Sequence, residues 1–133
     1  NDENAQGPYA TSGMIGGPAN NVVYPMWYYW NTFVNRLADY QPDTVLSETS
    51  QAYIYRLKYR AQPAKKAYVV FAPSINGSII KNFSLNLPAA AAHRFTLVRL
   101  NDTSTTGKPE NVQLTNHQLH FNLTESPVII LPD

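Results

Sequence analysis

The sequence predicts a mainly β fold: an antiparallel β-sandwich of about seven or eight strands, preceded by a loop and one aromatic-rich α-helix. Three observations lead there. From residue 52 onward apolar residues recur with period two in short runs. Turn residues separate those runs at short intervals. Ahead of them, residues 22–40 hold the single helical period of the chain.

The elements follow in chain order. Residues 1–21 are rich in Gly, Pro, Asn and Ser and read as an extended loop. A loop of that length in a compact domain is functional or contacts something else. Val23, Trp27, Trp30, Val34 and Leu37 then recur at steps of four and three, one face of a helix. Tyr24, Tyr28 and Phe33 widen that face, whereas Arg36 and Asp39 fall on the polar side. Proline is tolerated only in a first turn, so the helix proper starts at Pro25 and Pro42 stops the pattern. So apolar a helix is expected to be buried on more than one side.

Beyond Pro42 the period becomes two. Tyr53, Tyr55, Leu57 and Tyr59 alternate with Ile54, Arg56, Lys58 and Arg60, the mark of a half-buried antiparallel strand. Residues 67–72 (AYVVFA) are continuously apolar and suit a central strand. Asn76-Gly77 is a two-residue hairpin signal. Phe83, Leu85 and Leu87 alternate with Asn82, Ser84 and Asn86. Phe95 and Leu97 mark another strand, and residues 101–109 a polar loop containing Gly107 and Pro109. Val112 with Leu114, then Leu119, Phe121 and Leu123, then residues 128–131 (VIIL), complete the set. Residues 1–42 therefore form a loop and helix, and residues 43–133 the sandwich.

Composition bounds the function. A chain of 133 residues with 44% hydrophobic residues suits one domain with a real core. A net charge of +1 with 14% charged residues lacks the dense basic patch of a nucleic-acid binder. No stretch approaches the roughly 20 apolar residues needed to span a bilayer. The absence of cysteine excludes disulfides and thiolate metal sites. The opening Asn1-Asp2-Glu3-Asn4 reads as the middle of something, which fits a mature, processed or cloned fragment.

Candidate chemistry is sparse. The carboxylates sit in turns or at element ends, where solvated surface charge is the simplest account, and no catalytic pair is assigned. His117 and His120 lie three apart in a strand region, so their side chains would point to opposite faces and share no metal. No cofactor motif is present: there is no nucleophile elbow and no glycine-rich phosphate loop. Four glycosylation sequons begin at Asn76, Asn82, Asn101 and Asn122. The block Trp27, Tyr28, Tyr29, Trp30 is the most unusual feature. Its members point around a whole helix, so core packing explains them better than sugar stacking. Part of that core is expected to belong to a partner, which makes Trp27, Tyr28 and Trp30 interface candidates.

One ordered series resembles a known family. Tyr9-x-Thr11-Ser12-Gly13 comes first, then the helix with Trp27-Tyr28-Tyr29, then Tyr53-x-Tyr55-x-Leu57. Ala67-Tyr68-Val69-Val70-Phe71-Ala72-Pro73 follows, and Glu125-Ser126-Pro127-Val128-Ile129-Ile130 closes the chain. The series resembles the end of a bacterial retaining glycoside hydrolase, its last barrel helix followed by a C-terminal β-sandwich. The resemblance covers nearly the whole chain through loose motifs in a fixed order. It implies that the acid/base and nucleophile carboxylates lie on earlier barrel strands, upstream of Asn1, so none is carried over. It also implies that Tyr9, Thr11 and Ser12 line the rim of the substrate cleft. The expected role is then a non-catalytic accessory domain of a secreted, periplasmic or cell-surface enzyme that degrades polysaccharide. Its partner would be a (β/α)8 catalytic barrel absent from this chain. A free-standing carbohydrate-binding module is the competing expectation. Aromatics left uncovered on the helix would make the isolated chain self-associate.

Overall fold

The computed structural model describes residues 25–73, 77, 79–88, 90 and 92–133. Among them the chain forms one helix and eight strands, in two antiparallel sheets. The helix α1 spans Pro25–Leu37. The strands are β1 (Tyr40–Glu48), β2 (Tyr53–Tyr59), β3 (Gln62–Phe71), β4 (Ile80–Asn86), β5 (Arg94–Arg99), β6 (Lys108–Gln113), β7 (Gln118–Leu123) and β8 (Val128–Pro132). The predicted class, an antiparallel β fold behind a single helix, is the observed one.

The chain divides into two compact units. In the first, α1 is joined by the 100–108 segment. Three side chains of the helix bind carbonyls of that segment. Asn35 Nδ2 donates to Thr105 O at 2.7 Å and Arg36 Nε to Thr106 O at 2.9 Å. The fully buried Thr32 donates to Tyr28 O at 2.9 Å, with Ser104 O at 3.4 Å. The polar side of the helix is thus a clamp for loop carbonyls that no strand satisfies.

The second unit, Asp39–Arg99 with Pro109–Asp133, is the sandwich. Its larger sheet has the order β1-β2-β3-β8-β5-β6, and the smaller sheet pairs β4 with β7. Strand alternation gives each sheet an inner and an outer face. On the inner face of the larger sheet, Arg56 pairs with Tyr68, Tyr68 with Ile130, and Ile130 with Leu97. Against this row pack Leu85 of β4 and Leu119, Phe121 and Leu123 of β7, and together these form the core. Leu97, Leu119, Leu123 and Ile130 are fully buried. Burying one such side chain stabilises by about 1.5–3 kcal/mol, so this layer is the main driving force for folding. Solvent-facing positions on β4 and β7 are Asn82, Ser84, Asn86, His120 and Asn122, as the alternation predicted for β4.

Three features differ from the sequence-based expectation. β1 was not anticipated, because it carries Pro42 and two register shifts, at Pro42/Thr44 and Val45/Ser47. Such bulges break the period-two signal and also blunt an exposed sheet edge. The Asn76-Gly77 signal does not join a hairpin, and Asn76 itself lies outside the described residues. Gly77 has φ 76°, but the flanking β3 and β4 lie in different sheets. His117 falls outside the strand. Asn116 (φ 51°) and His117 (φ 63°) form a two-residue turn closed by reciprocal backbone bonds between Thr115 and Gln118, 2.9 Å each. Two successive positive φ values are what a type I′ turn requires, and Asn-His is a less familiar way to meet that than Asn-Gly.

Candidate functional site

Tyr9, Thr11 and Ser12 fall outside the described residues. Trp27 and Tyr28 are half-buried on α1, whereas Trp30 is 57% exposed and Val34 47%. Trp30 and Val34, four residues apart, form one uncovered apolar stripe on the helix. The three sequon asparagines among the described residues are Asn82, Asn101 and Asn122. Asn82 and Asn122 meet on the outer face of the small sheet, where Asn82 N donates to Asn122 Oδ1 at 3.1 Å. Beside them Ser84 Oγ and His120 Nδ1 lie 3.1 Å apart on the same exposed face.

Two constellations in the sandwich could act on a ligand. The first is aromatic. β2 and β3 place Tyr53, Tyr55 and Phe71 on the outer face of the large sheet. Tyr53 stacks on Phe71 with ring centroids 5.2 Å apart, and Tyr55 stands 6.1 Å from Phe71. Tyr40 and Tyr59 make an edge-to-face pair at 5.3 Å on the first two strands. Each of these contacts is worth about 0.5–1.5 kcal/mol beyond area burial. The hydroxyl of Tyr55 donates to Glu48 at 2.8 Å, and that bond to a carboxylate pushes its phenol above the ordinary value. The tyrosine row of the sequence is therefore real, and its rings pack on one another.

The second constellation is charged and lies at one end of the inner face. The bulge at Pro42/Thr44 sets the position of Asp43. Its Oδ2 accepts from Arg56 Nε at 2.7 Å and from Lys66 Nζ at 3.2 Å. All three side chains are largely buried, with 17% of Asp43, 33% of Arg56 and 30% of Lys66 exposed. The two cationic donors hold the Asp43 carboxyl below its ordinary value, so it is charged at neutral pH. Neighbouring Tyr68 is 6% exposed, and burial pushes its phenol up. Arg56, Lys66 and Tyr68 border a cleft of about 620 Å³, with Asp43 behind the two cations. The cleft runs along β1, β2, β3 and the end of β8, and described residues from Asn86 to Phe95 border its other side. Tyr68, Leu87 and Phe95 form its apolar floor, and Arg56, Lys66 and Asn86 its polar rim.

Sequence reasoning named none of these rim residues. Arg56 reads as one face of an alternating strand, and the Lys65-Lys66 run, just ahead of the apolar residues 67–72, as ordinary surface. Asp43 sat in a stretch without a period, and only the tertiary pairing of β1 with β2 brings it to the other two.

The remaining described carboxylates with a defined partner are engaged elsewhere. Glu110 binds Arg99 at 2.9 Å, and Asp133 accepts from Thr96 at 2.7 Å. Arg99 also donates from Nη2 to Asn122 O at 3.1 Å and so ties the large sheet to the small one. Among the described residues no three His, Asp or Glu side chains are grouped to hold a metal ion. No helix among them is long and apolar enough to cross a membrane.

Neither family models nor curated proteins match the chain. Solved structures do match its fold. One is a GH30 endoxylanase from Clostridium papyrosolvens C71, with TM-score 0.63 and 13% identity over 86% of this chain and 29% of that one. Another is a family 39 glycoside hydrolase from the gut symbiont Bacteroides cellulosilyticus WH2, with TM-score 0.62 and 12% identity over 91% of this chain and 24% of that one. This chain thus spans roughly a quarter of the length of either enzyme and shares the fold of that portion.

Proposed function

We propose that this chain is the non-catalytic C-terminal β-sandwich of a glycoside hydrolase involved in polysaccharide degradation. It would cover and stabilise a (β/α)8 catalytic barrel encoded upstream. The observation that carries this reading is the proportion of the fold match. Nearly all of this chain superimposes on about a quarter of two glycoside hydrolases. Four of the seven described carboxylates add support. A retaining glycosidase needs two carboxyl groups about 5–5.5 Å apart, free to face a sugar. Asp43, Glu48, Glu110 and Asp133 are each hydrogen-bonded to another residue of the chain. The uncovered stripe of Trp30 and Val34 suits a helix that packs on a second body. In the whole enzyme Tyr9, Thr11 and Ser12 would line the rim of the substrate cleft. The parent protein would be secreted, periplasmic or on the cell surface, where polysaccharide is found. Alone, the chain would self-associate through the same stripe.

Two measurements test the proposal. The gene upstream of Asn1 is expected to encode a (β/α)8 barrel with its carboxylate pair; an unrelated domain there contradicts the reading. The isolated chain is expected to hydrolyse no polysaccharide, and turnover by it would overturn the assignment.

A free-standing carbohydrate-binding module is the second reading, favoured by the half-buried aromatic group of Tyr53, Tyr55 and Phe71. Polysaccharide affinity of the isolated chain, lost on Tyr53→Ala without unfolding, would select it over the first.

A further inference from the structure

We propose that the inner-face cleft binds a small ligand of sugar size bearing a carboxylate. The inference stands on the cleft alone and does not require an upstream barrel.

Volume, floor and charge lead to it. A cleft of about 620 Å³ lies within the range of small-molecule sites. Its floor is apolar and fixed, because Tyr68, Leu87 and Phe95 belong to the core of the sandwich. Its rim carries two cations held in place. Arg56 and Lys66 are about two-thirds buried, and one oxygen of Asp43 orients both. Two positive charges against one negative leave this wall with a net charge of +1. The other charged lining residues, Lys65 and Asp133, carry opposite charges that offset each other. Lys65 places Nζ 4.9 Å from the ring of Tyr59, and Asp133 accepts from Thr96. Asn86 adds a polar amide at the rim, itself held by Gln118 at 2.7 Å. A preorganised cationic wall over an apolar floor favours a ligand with an anionic group and a compact body. A neutral body of the same shape would forgo the charge-assisted hydrogen bonds, which are about twice as strong as neutral ones.

Asp43 makes the idea unusually testable, because it competes with the ligand for the same two cations. Removing its charge should strengthen binding, whereas removing a cation should weaken it. A site lost through unfolding cannot give both signs.

The experiment is an amide NMR titration of the whole chain with D-galacturonate, with D-galactose and acetate as controls. Galacturonate is expected to shift resonances of Arg56, Lys66, Tyr68 and Asn86. Galactose should be at least ten-fold weaker, and acetate, a carboxylate without the ring, weaker as well. Asp43→Asn should tighten galacturonate binding about three- to ten-fold, and Arg56→Gln should weaken it at least ten-fold. Added salt should weaken binding, as screening requires. If the spectrum of Arg56→Gln shows that it does not fold, Lys66→Gln tests the same wall. Equal binding of galactose and galacturonate overturns the proposal. So do acetate shifts of equal affinity, loss of binding in both Asp43→Asn and Arg56→Gln, or no shifts at all.

Discussion

At the scale of single residues, the Asp43–Arg56–Lys66 group is a packed ionic unit at the boundary between core and cleft. Its two cationic donors depress the Asp43 pKa, and that fixes the sign of its pH dependence. The contribution is present above the ordinary aspartate value of 3.8 and is lost as pH falls through the lower native value. Asp43→Ala should therefore lower the urea midpoint at pH 7, and the gap from the native chain should close in strong acid. An equal gap at both pH values would mean that the charge contributes nothing. Apolar positions behave differently. Leu97→Ala empties a fully buried site and should cost about 2–5 kcal/mol, read from chemical denaturation. Legibility divides along the same line. Leu97 was assigned from its apolar strand pattern, because burial follows hydrophobic periodicity. The charged unit was hidden, because three polar residues on three strands leave no local signal.

At the scale of elements, regular strands were readable and irregular ones were not. β2, and β4 beyond its register shift between Ile80 and Phe83, announce themselves by clean alternation, and on one face of β2 Tyr53 pairs with Phe71 and Leu57 with Ala67. β1 does not, since Pro42 and two bulges interrupt its period. The same irregularity suits an edge strand, whose open hydrogen-bonding groups would otherwise invite another chain. β8 is the opposite case, flanked by β3 and β5 and buried through Val128, Ile129 and Ile130. Ile129→Pro removes a backbone donor at its centre and should prevent folding, seen as loss of the β spectrum in circular dichroism. The helix of the first unit rests on a different device, side chains clamping loop carbonyls. Asn35→Ala should cost about 1 kcal/mol or less and speed amide exchange in α1, leaving exchange in β8 unchanged.

At the scale of the whole molecule, labour is divided between a sandwich with a core of its own and a helix with an uncovered face. The sandwich buries a continuous apolar layer of its own. The helix turns a tryptophan and a valine to solvent. The sequence signalled both, through seven recognisable strands and an aromatic block too apolar for a surface helix. It could not signal which faces would be covered, because burial is a property of the assembled body. The proposed barrel explains the uncovered face by supplying the second body, and the fold match to a quarter of two longer enzymes is consistent with that. The most direct test is Trp30→Ala, compared in this chain and in the complete gene product. With the indole 57% exposed, the substitution should change the stability of the isolated chain, diluted until it is monomeric, by no more than about 0.5 kcal/mol. In the complete product it should cost about 2 kcal/mol or more, as truncation of a buried aromatic does. An equally small effect in both would contradict the account.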